Sequence, residues 1–513
     1  MSYVVEQKIR GKIYLYKVES YWDKTKKQSR QKRTYIGPKP DGKKQKRKQK
    51  RSNLVSTNFG NIFLLNFLAN EVGLKKLLGY VFPKNYREIL ALAYYQIMEN
   101  SAMYLFPYWL EEQNLEKVKK LNSSNISQLC EDLGRDQEAR QEFIKKWIDH
   151  LKPIKAAYYD ITSISSYATG IDFIEWGYNR DKERLPQLNM GVTFCRDHLL
   201  PIHYNLYPGS IVDVTTLKNC LKYLEAFELK DITLVLDRGF FSKKNILEMD
   251  NSKINFIQPL SYSLKKVKLL IKKNKKELSN PATAFKYNEE ILNYMAADIE
   301  FDDKKFNAHL FFSEKAEVDQ KHHFLATLLE FEENVINQEF KTLKEYLDYK
   351  KNNIPEKFRT YFKWNKTTFK IEKNSRTIKA YLSKVGSFIL VTNKQLNKID
   401  ILDSYRQRDK VEKVFDVFKN EIDGDRIRAH SQYNTDGRLF LKFITLILYA
   451  KISSVMKTKN LFKKYSIIEL LNILKNLKIT TLDKQKTFLS ELSKKQRNIF
   501  KAFGIAEDAF PRY

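Results

Sequence analysis

Cysteine is scarce in this chain, with 3 in 513 residues. Cys130, Cys195 and Cys220 stand far apart, and no Cys-x-x-Cys pair occurs. Zinc-finger clusters and disulfide frameworks are thereby excluded, and a reduced, intracellular compartment fits. The 7 histidines show no metal-ligand spacing. No Gly-x-x-x-x-Gly-Lys-Ser/Thr loop is present, so ATP dependence is not expected. Residues 1–53 lack the apolar stretch of a secretory signal. The most apolar segment, Leu439 to Ala450, is interrupted by Lys442 and is read as too short to span a bilayer. Negative charge is the last shortage. Lys and Arg number 92 against 61 Asp and Glu, a formal net charge of +31. Such an excess implies a polyanionic partner, the alternative being a lysine-rich composition inherited from an AT-rich genome. A hydrophobic fraction of 42% with 13% aromatic residues excludes a wholly disordered basic chain. The length corresponds to about two to four domains of a soluble, cytoplasmic protein with no membrane part.

Six segments follow from the pattern along the chain. Residues 1–53 open with alternating, strand-like sequence around a turn at Arg10-Gly11, a small hairpin or three-strand unit. The run KKQKRKQKR at 43–51 has seven basic residues in nine and reads as a solvated linker or a phosphate contact. Residues 54–152 carry apolar residues at three- and four-residue spacing and read as a helical DNA-binding region. Within it, Ser124 to Asp149 holds two helical patterns separated near Gly134, either a helix-turn-helix or a helical hairpin packing its own core. Residues 153–260 change to strands: AAYYDI, LNMGVTFC, LPIHYNLY, ITLVLD and INFIQPL. Helical stretches Val214 to Ala226 and Lys243 to Met249 lie between the later ones. Three strands and then alternating helix and strand is the order of an RNase-H-like α/β sheet, and other α/β folds share it. Residues 261–395 interrupt it as an inserted β-rich or α+β subdomain. It is read as a long charged helix over Ser313 to Lys351 and strands TYFKWNKTTFKIE, TIKAYLSKV and SFILVTN. Residues 396–455 return to the core as helices, and 456–513 form a helical tail.

Two aspartates stand at strand ends in this reading. Asp160 closes AAYYD, and Asp237 closes ITLVLD ahead of Arg238-Gly239. Ligands of open α/β sheets sit beyond the carboxyl ends of strands, so the pair shares one site if the strands are neighbours. A third carboxylate comes from the helix predicted over Ile401 to Lys419. At 100° per residue, Tyr405, Arg408, Glu412 and Lys419 fall within about 60° of one another. Val411, Val414, Phe415 and Phe418 form the neighbouring apolar face. Three carboxylates suit hard divalent ions such as Mg²⁺, which take oxygen ligands. Two such ions about 3.5–4 Å apart activate the attacking oxygen and stabilise the leaving one in phosphodiester chemistry. Arg408 and Lys419 are placed to hold phosphates. Tyr405 either contacts a phosphate or sugar, or packs.

The spacing of Tyr405, Arg408, Glu412 and Lys419 resembles the Tyr-Arg-Glu-Lys (YREK) signature of a large group of bacterial insertion-sequence transposases. Asp237-Arg238-Gly239-Phe240 resembles their second-aspartate motif, and YYDITSIS the first. YPGSIVDVTTL, Tyr207 to Leu217, is similar to a Pro-Gly-Asn-x-x-Asp stretch between them, with Ser210 where Asn is usual. KRTYIG and NFG near the amino terminus look like a longer-chain subgroup. The resemblance covers about residues 155–455. It implies an RNase-H-like core with Asp160, Asp237 and Glu412 as catalytic and metal-holding residues, 77 and 175 residues apart around an insertion. It also implies two Mg²⁺ ions, with Mn²⁺ as substitute, and double-stranded DNA as partner, both the element's terminal inverted repeats and the target. Tyr405, Arg408, Lys419 and Arg238 are its DNA-binding candidates. By resemblance the enzyme cuts at the element ends and joins the 3′ ends to target DNA, as a homodimer in a synaptic complex, in a prokaryotic cytoplasm at the nucleoid. A metal-dependent nuclease without strand transfer and a catalytically inactive DNA-binding regulator are the alternatives.

Other residues carry weaker signals. His322 and His323 are expected to face solvent, and His430 to serve structure. Trp176 and Trp364 are expected in the core or stacked on a base. Arg180 and Lys182 are loop residues that would touch phosphates. Ser163 and Ser165 have no histidine partner for a serine nucleophile.

Overall fold

The computed structural model describes residues 2–39, 54–99, 101–115, 117–166, 168, 171–177, 185–211, 213–229, 231–262, 264–335, 338–409, 412–413, 426–427, 429, 431–482 and 486–511. The basic run 43–51, Arg180, Lys182, Val411, Val414, Phe415, Phe418, Lys419 and His430 lie outside them. The chain divides into two compact units, residues 1–54 with 482–485, and residues 55–481 with 486–513.

The first unit is a three-stranded antiparallel meander of β1 (Ser2–Ile9), β2 (Lys12–Asp23) and β3 (Gln28–Pro38). Arg10 and Gly11 both take positive φ, 47° and 80°. A two-residue turn with this hand matches the twist of the strands it joins, and glycine adopts it without steric cost. Val18 is the one buried hydrophobic side chain among the described residues of this meander.

The second unit begins with β4 (Leu54–Asn58) and the helices α1 (Gly60–Glu71), α2 (Leu74–Val81), α3 (Tyr86–Met98), α4 (Phe106–Glu112), α5 (Ser123–Arg135) and α6 (Gln137–Leu151). Asn122 and Asp136 cap α5 and α6, each accepting a hydrogen bond from a backbone N–H of the first turn. These helices do not enclose a core of their own. Phe143, Trp147, Ile126 and Leu129 belong to the hydrophobic core shared with the sheet, and the Trp147 indole donates 2.8 Å to the Pro201 carbonyl.

Next come β5 (Ala156–Ser166), β6 (Gln187–Cys195), β7 (Leu200–Pro208), α7 (Asp213–Ala226), β8 (Thr233–Val235), α8 (Lys243–Asn251) and β9 (Asn255–Pro259). In space the strands run β7-β6-β5-β8-β9. The first three pair antiparallel, and β8 and β9 join parallel to β5. Parallel strands need crossover connections, which α7 and α8 supply. Every residue of β6 is buried, as expected of a strand covered on both faces.

The segment expected as a separate insertion departs from that reading. After α9 (Lys265–Leu278), strands β10 (Ala284–Tyr287), β11 (Glu290–Phe301) and β12 (Lys304–Phe312) extend the same sheet. The order is β10-β11-β12-β15-β9, with β15 (Ser387–Thr392) in antiparallel register with β9. Only the stretch between β12 and β15 has a core of its own, built on Phe324, Leu328, Tyr346 and Phe358. It comprises α10 (Glu314–Val335), α11 (Leu343–Asn353), the short hairpin β13 (Phe362–Trp364) and β14 (Ile371–Lys373), and α12 (Ser375–Leu382). The long charged helix is thus two, the second capped by Thr342. TIKAYLSKV is not a strand. Asn374 caps it into α12, and Ile378, Tyr381 and Leu382 pack on the second core at helical spacing.

The chain returns through α13 (Lys398–Arg406) and β16 (Arg426–Ile427), whose backbone pairs parallel with β5 at Ser165 and Ser166. It then enters α14 (Gln432–Thr458). This helix is long and apolar enough to cross a membrane by length and composition, contrary to the sequence reading. In the fold, 78% of its apolar window is buried, and it is the central core helix of this unit. It approaches α5 closely through two glycines. A Cβ on Gly437 would lie 1.8 Å from the Cys130 carbonyl oxygen, and one on Gly134 would lie 1.7 Å from that of Tyr433. Gly134, where the sequence reading separated two helical patterns, thus sits at a close helix contact, and the two helices meet at Asp136. The tail is not purely helical. Between α15 (Ile467–Lys475) and α16 (Lys494–Ala502), strands β17 (Lys478–Leu482) and β18 (Lys486–Leu489) form a small sheet with β4.

Candidate active site

The sheet register brings the two aspartates together. Tyr158 of β5 pairs with Val235 of β8, the last pair of that parallel ladder. Asp160 and Asp237 each lie two residues beyond it, so they are register neighbours on one face. Asp160 does not end its strand as expected. It sits inside β5, which runs on to Ser166 because its other edge stays paired with β6. What ends near Asp160 is the ladder to β8. Asp237 lies two residues past the end of β8 at Val235, not at the last position of the strand as expected. Its backbone leads into the turn Arg238–Phe240, and its carbonyl accepts a hydrogen bond from Gln258, 3.2 Å.

The third carboxylate arrives on α13 and the turn that follows. Asn397 caps α13, accepting from the backbone N–H of Ile399 and Asp400. Ile401 and Leu402 bury into the core. The Tyr158 hydroxyl donates 3.1 Å to the Ser404 carbonyl, and Arg196 donates 2.9 Å to the Ser404 hydroxyl. On the other side Tyr287 donates to the Asp403 carboxylate, and Arg406 pairs with Glu290 at 2.8 Å. The helix is thereby pinned to the aspartate-bearing strand and to the extended sheet.

Tyr405, Arg408 and Glu412 share a face, as the helical spacing predicts. The Arg408 guanidinium lies 5.5 Å from the Tyr405 ring centroid and 2.5 Å from the Glu412 carboxylate. Its second terminal nitrogen lies 3.4 Å from Asp237. Arg408 is 8% exposed, and its Nε has no hydrogen-bond partner among the described atoms. Burial opposes its charge. The carboxylates of Asp237, Glu412 and Asp160 outweigh that and hold the guanidinium above its ordinary pKa. Burial also pushes the Glu412 carboxyl up, against Arg408, which lowers it. Burial raises the Tyr405 phenol in the same way.

The donor set is right for a hard divalent ion, three carboxylates and no thiol or imidazole. The arrangement is not yet a coordination shell. Among the described residues no group of three His, Cys, Asp or Glu side chains is placed to hold a metal ion. The Arg408 guanidinium stands between Asp237 and Glu412 instead, neutralising the cluster.

Beside the cluster opens a cavity of about 710 Å³. Arg238 and Arg406 reach it from the two site elements, and Lys315, Lys384, Tyr262 and Tyr381 line it from the extended sheet and the inserted stretch. Arg238 also lies 5.2 Å over the Tyr262 ring. Sequence reasoning missed Arg406, Lys315 and Lys384. No spacing links them, because three separate segments supply them. The weaker candidates scatter. Trp176 is 68% exposed, which overturns its core reading. Trp364 packs on the second core, stacked on Tyr346. His322 and His323 face solvent. The Ser163 hydroxyl donates to Asn189, 3.0 Å.

With this geometry in hand, comparison with known proteins is specific on one point. Residues 153–448 match the family of the transposase DDE domain. The solved structures include a similar chain, from a cryo-EM structure of the piggyBac transposase synaptic complex with hairpin DNA. Identity is 11% and the TM-score 0.34, over 81% of this chain and 70% of that one. No curated protein matches the sequence.

Proposed function

This chain belongs to the transposase DDE domain family, and we propose that it is a DNA transposase whose catalytic carboxylates are Asp160, Asp237 and Glu412. One observation carries the reading. The buried guanidinium of Arg408 pairs with Asp237 and Glu412 and lies in the field of a third carboxylate, Asp160. An isolated structural salt bridge is satisfied by one carboxylate, and a cluster of carboxylates from distant segments suits an oxygen-ligated divalent centre. The strand order β7-β6-β5-β8-β9 supports an RNase-H-like core around them.

Asp160, Asp237 and Glu412 are the residues that would hold the divalent ions, two Mg²⁺ with Mn²⁺ as substitute. Bound there, such ions supply Lewis-acid activation of the attacking oxygen and stabilisation of the leaving one. The chain's own residues orient the DNA. Arg408 is the counter-charge of the cluster at rest and a phosphate ligand once the carboxylates turn to other partners. Arg238, Lys315 and Lys384 give the adjoining cavity a cationic excess over its acids, Asp319 and the Glu290 that Arg406 engages, which suits a strand running past the carboxylates. Tyr158 and Arg196 position α13 and so aim Glu412. The substrates are the terminal inverted repeats of the chain's own element and then target DNA, cut and joined by a homodimer at the nucleoid of a prokaryotic cell.

The test is a reaction on labelled DNA carrying the element's inverted repeat, with Mg²⁺ or Mn²⁺, for the wild type and Glu412→Ala. Cleavage at the repeat boundary with joined products, lost in the variant, is the expected result. Cutting without joining indicates a nuclease. Binding without cutting by the folded wild type indicates an inactive regulator. Cutting that survives Glu412→Ala places the active site elsewhere.

A further inference from the structure

We infer that the hairpin β2–β3 of the amino-terminal unit is the element that reads DNA, entering a groove of the duplex as a two-stranded ribbon. The inference rests on the transposase reading and assigns its DNA recognition to a surface outside the catalytic core.

The composition of β3 is the first argument. From Gln28 to Arg33 it reads QSRQKR, with no apolar residue on either face, and all six side chains are exposed. A strand stabilised by a core alternates apolar and polar residues. This one is built from long donors on both faces. Its cross-strand partners in β2, Asp23 to Val18, are exposed as well, apart from Val18 and the half-buried Asp23. The large apolar side chains the ribbon does carry, Tyr21, Trp22, Tyr35 and Ile36, stand exposed rather than in a core.

Charge is the second argument. Residues 22–35 hold six cations, Lys24, Lys26, Lys27, Arg30, Lys32 and Arg33, against one acid, Asp23. That acid is already engaged. Its carboxylate accepts from the backbone N–H of Thr25 and Lys26, which closes the turn, and lies 3.5 Å from Arg30. The three turn lysines and the three strand cations are all exposed. Across residues 2–38, ten Lys and Arg face three acids. The complementary partner is a dense polyanion.

Shape and chemistry then choose among polyanions. A duplex major groove, about 12 Å wide, admits a two-stranded β ribbon. Arginine and glutamine present paired donors and acceptors that match guanine and adenine edges there, and lysines at a ribbon tip suit flanking phosphates. β2 spans 12 residues, roughly 40 Å of strand, enough to cross a groove with its tip projecting.

The experiment uses the full-length chain. Fluorescence anisotropy is measured on a duplex carrying the element's terminal inverted repeat and on a shuffled duplex, across a salt series. The triple variant Lys26→Gln/Arg30→Gln/Arg33→Gln is expected to lose at least tenfold in affinity for the repeat, with a log–log salt slope shallower by about 0.9 per phosphate contact removed. Arg30→Lys/Arg33→Lys keeps the charge but not the forked donors. It is expected to hold the salt slope and lose most of the repeat-over-shuffled preference. Circular dichroism melts identical to wild type establish that the surface changes leave the fold intact. Unchanged affinity and preference in both variants overturn the inference. So does a changed oligomeric state by light scattering with unaltered DNA binding, which identifies the sheet as a contact with a second copy. In either case, repeat cleavage that is lost in Glu412→Ala leaves the transposase reading standing. A wild type that neither binds nor cuts the repeat overturns that reading, and this inference with it.

Discussion

Arg408 contacts Asp237 at 3.4 Å while its other terminal nitrogen holds Glu412, one helical turn on, at 2.5 Å. The same guanidinium therefore neutralises carboxylates from a strand end and from a helix that are far apart in sequence. Packed carboxylates repel and take up protons unless a cation stands among them. In this arrangement the protein supplies that cation itself.

Arg408→Gln tests this directly. Breaking a buried pair costs several kcal/mol, but both carboxylates here are about 40% exposed, so about 1–2 kcal/mol is expected. The melting temperature should fall by a few degrees. Mn²⁺ should then stabilise the variant more than the wild type, because the ion no longer competes with a guanidinium. Thermal-shift curves with and without Mn²⁺ measure both. Equal Mn²⁺ shifts in the two proteins would show that Arg408 does not occupy the ion's place.

Tyr158→Phe removes the hydroxyl that holds the Ser404 carbonyl and leaves the ring. The expected stability loss is about 1 kcal/mol. The loss in cleavage should exceed what that implies, on the order of tenfold or more in kcat at unchanged DNA affinity, because Glu412 is aimed through α13. Single-turnover cleavage on saturating DNA separates this from a binding defect.

The glycines of the core helices predict effects of opposite sign. Gly437→Ala drives a methyl group to 1.8 Å from the Cys130 carbonyl oxygen, which is backbone and cannot rotate away. A loss of about 3 kcal/mol is expected, with α5 and α14 forced apart. Gly79→Ala, inside α2, meets nothing nearer than 3.9 Å and should stabilise by about 0.5–1 kcal/mol. Urea midpoints of the two variants would reveal the contrast.

His203 is buried between Tyr223, 4.4 Å between ring centroids, and Phe227. Burial pushes its pKa down to about 3. The folded state therefore excludes a proton that the unfolded chain binds below about pH 6.5. Its contribution is complete above that pH and is lost as pH falls from 6.5 toward 3, about 1.4 kcal/mol per unit. Between pH 7 and pH 5 the wild type should lose about 2 kcal/mol more than His203→Phe. Urea unfolding at the two pH values gives the difference.

Strands and helices with strong periodicity were legible along the chain. LNMGVTFC and LPIHYNLY are β6 and β7 nearly to the residue, and Val214 to Ala226 is α7. TIKAYLSKV misled because its β-branched and aromatic residues alternate locally, while Asn374 caps the segment and the second core takes its helical face. KITTL and KTFL were overlooked because β17 pairs with β4, more than four hundred residues away, and short strands carry little signal alone. At the site, the common face of Tyr405, Arg408 and Glu412 followed from the helix period, and the structure keeps it.

The sequence by itself determined the local terms: the helix period that aligns a tyrosine, an arginine and a glutamate, the strand that delivers Asp237, and the charge that selects a polyanion. These are properties of neighbouring residues. Tertiary structure alone decided the register that sets Asp160 beside Asp237 and the inward turn of Arg408 onto both acids. It also decided the merger of the supposed insertion with the main sheet, and the cavity lined from three segments. Each of these is a pairing between distant parts of the chain. Such pairings are fixed by packing and ladder hydrogen bonds that form only when the whole core closes, so no local pattern encodes them.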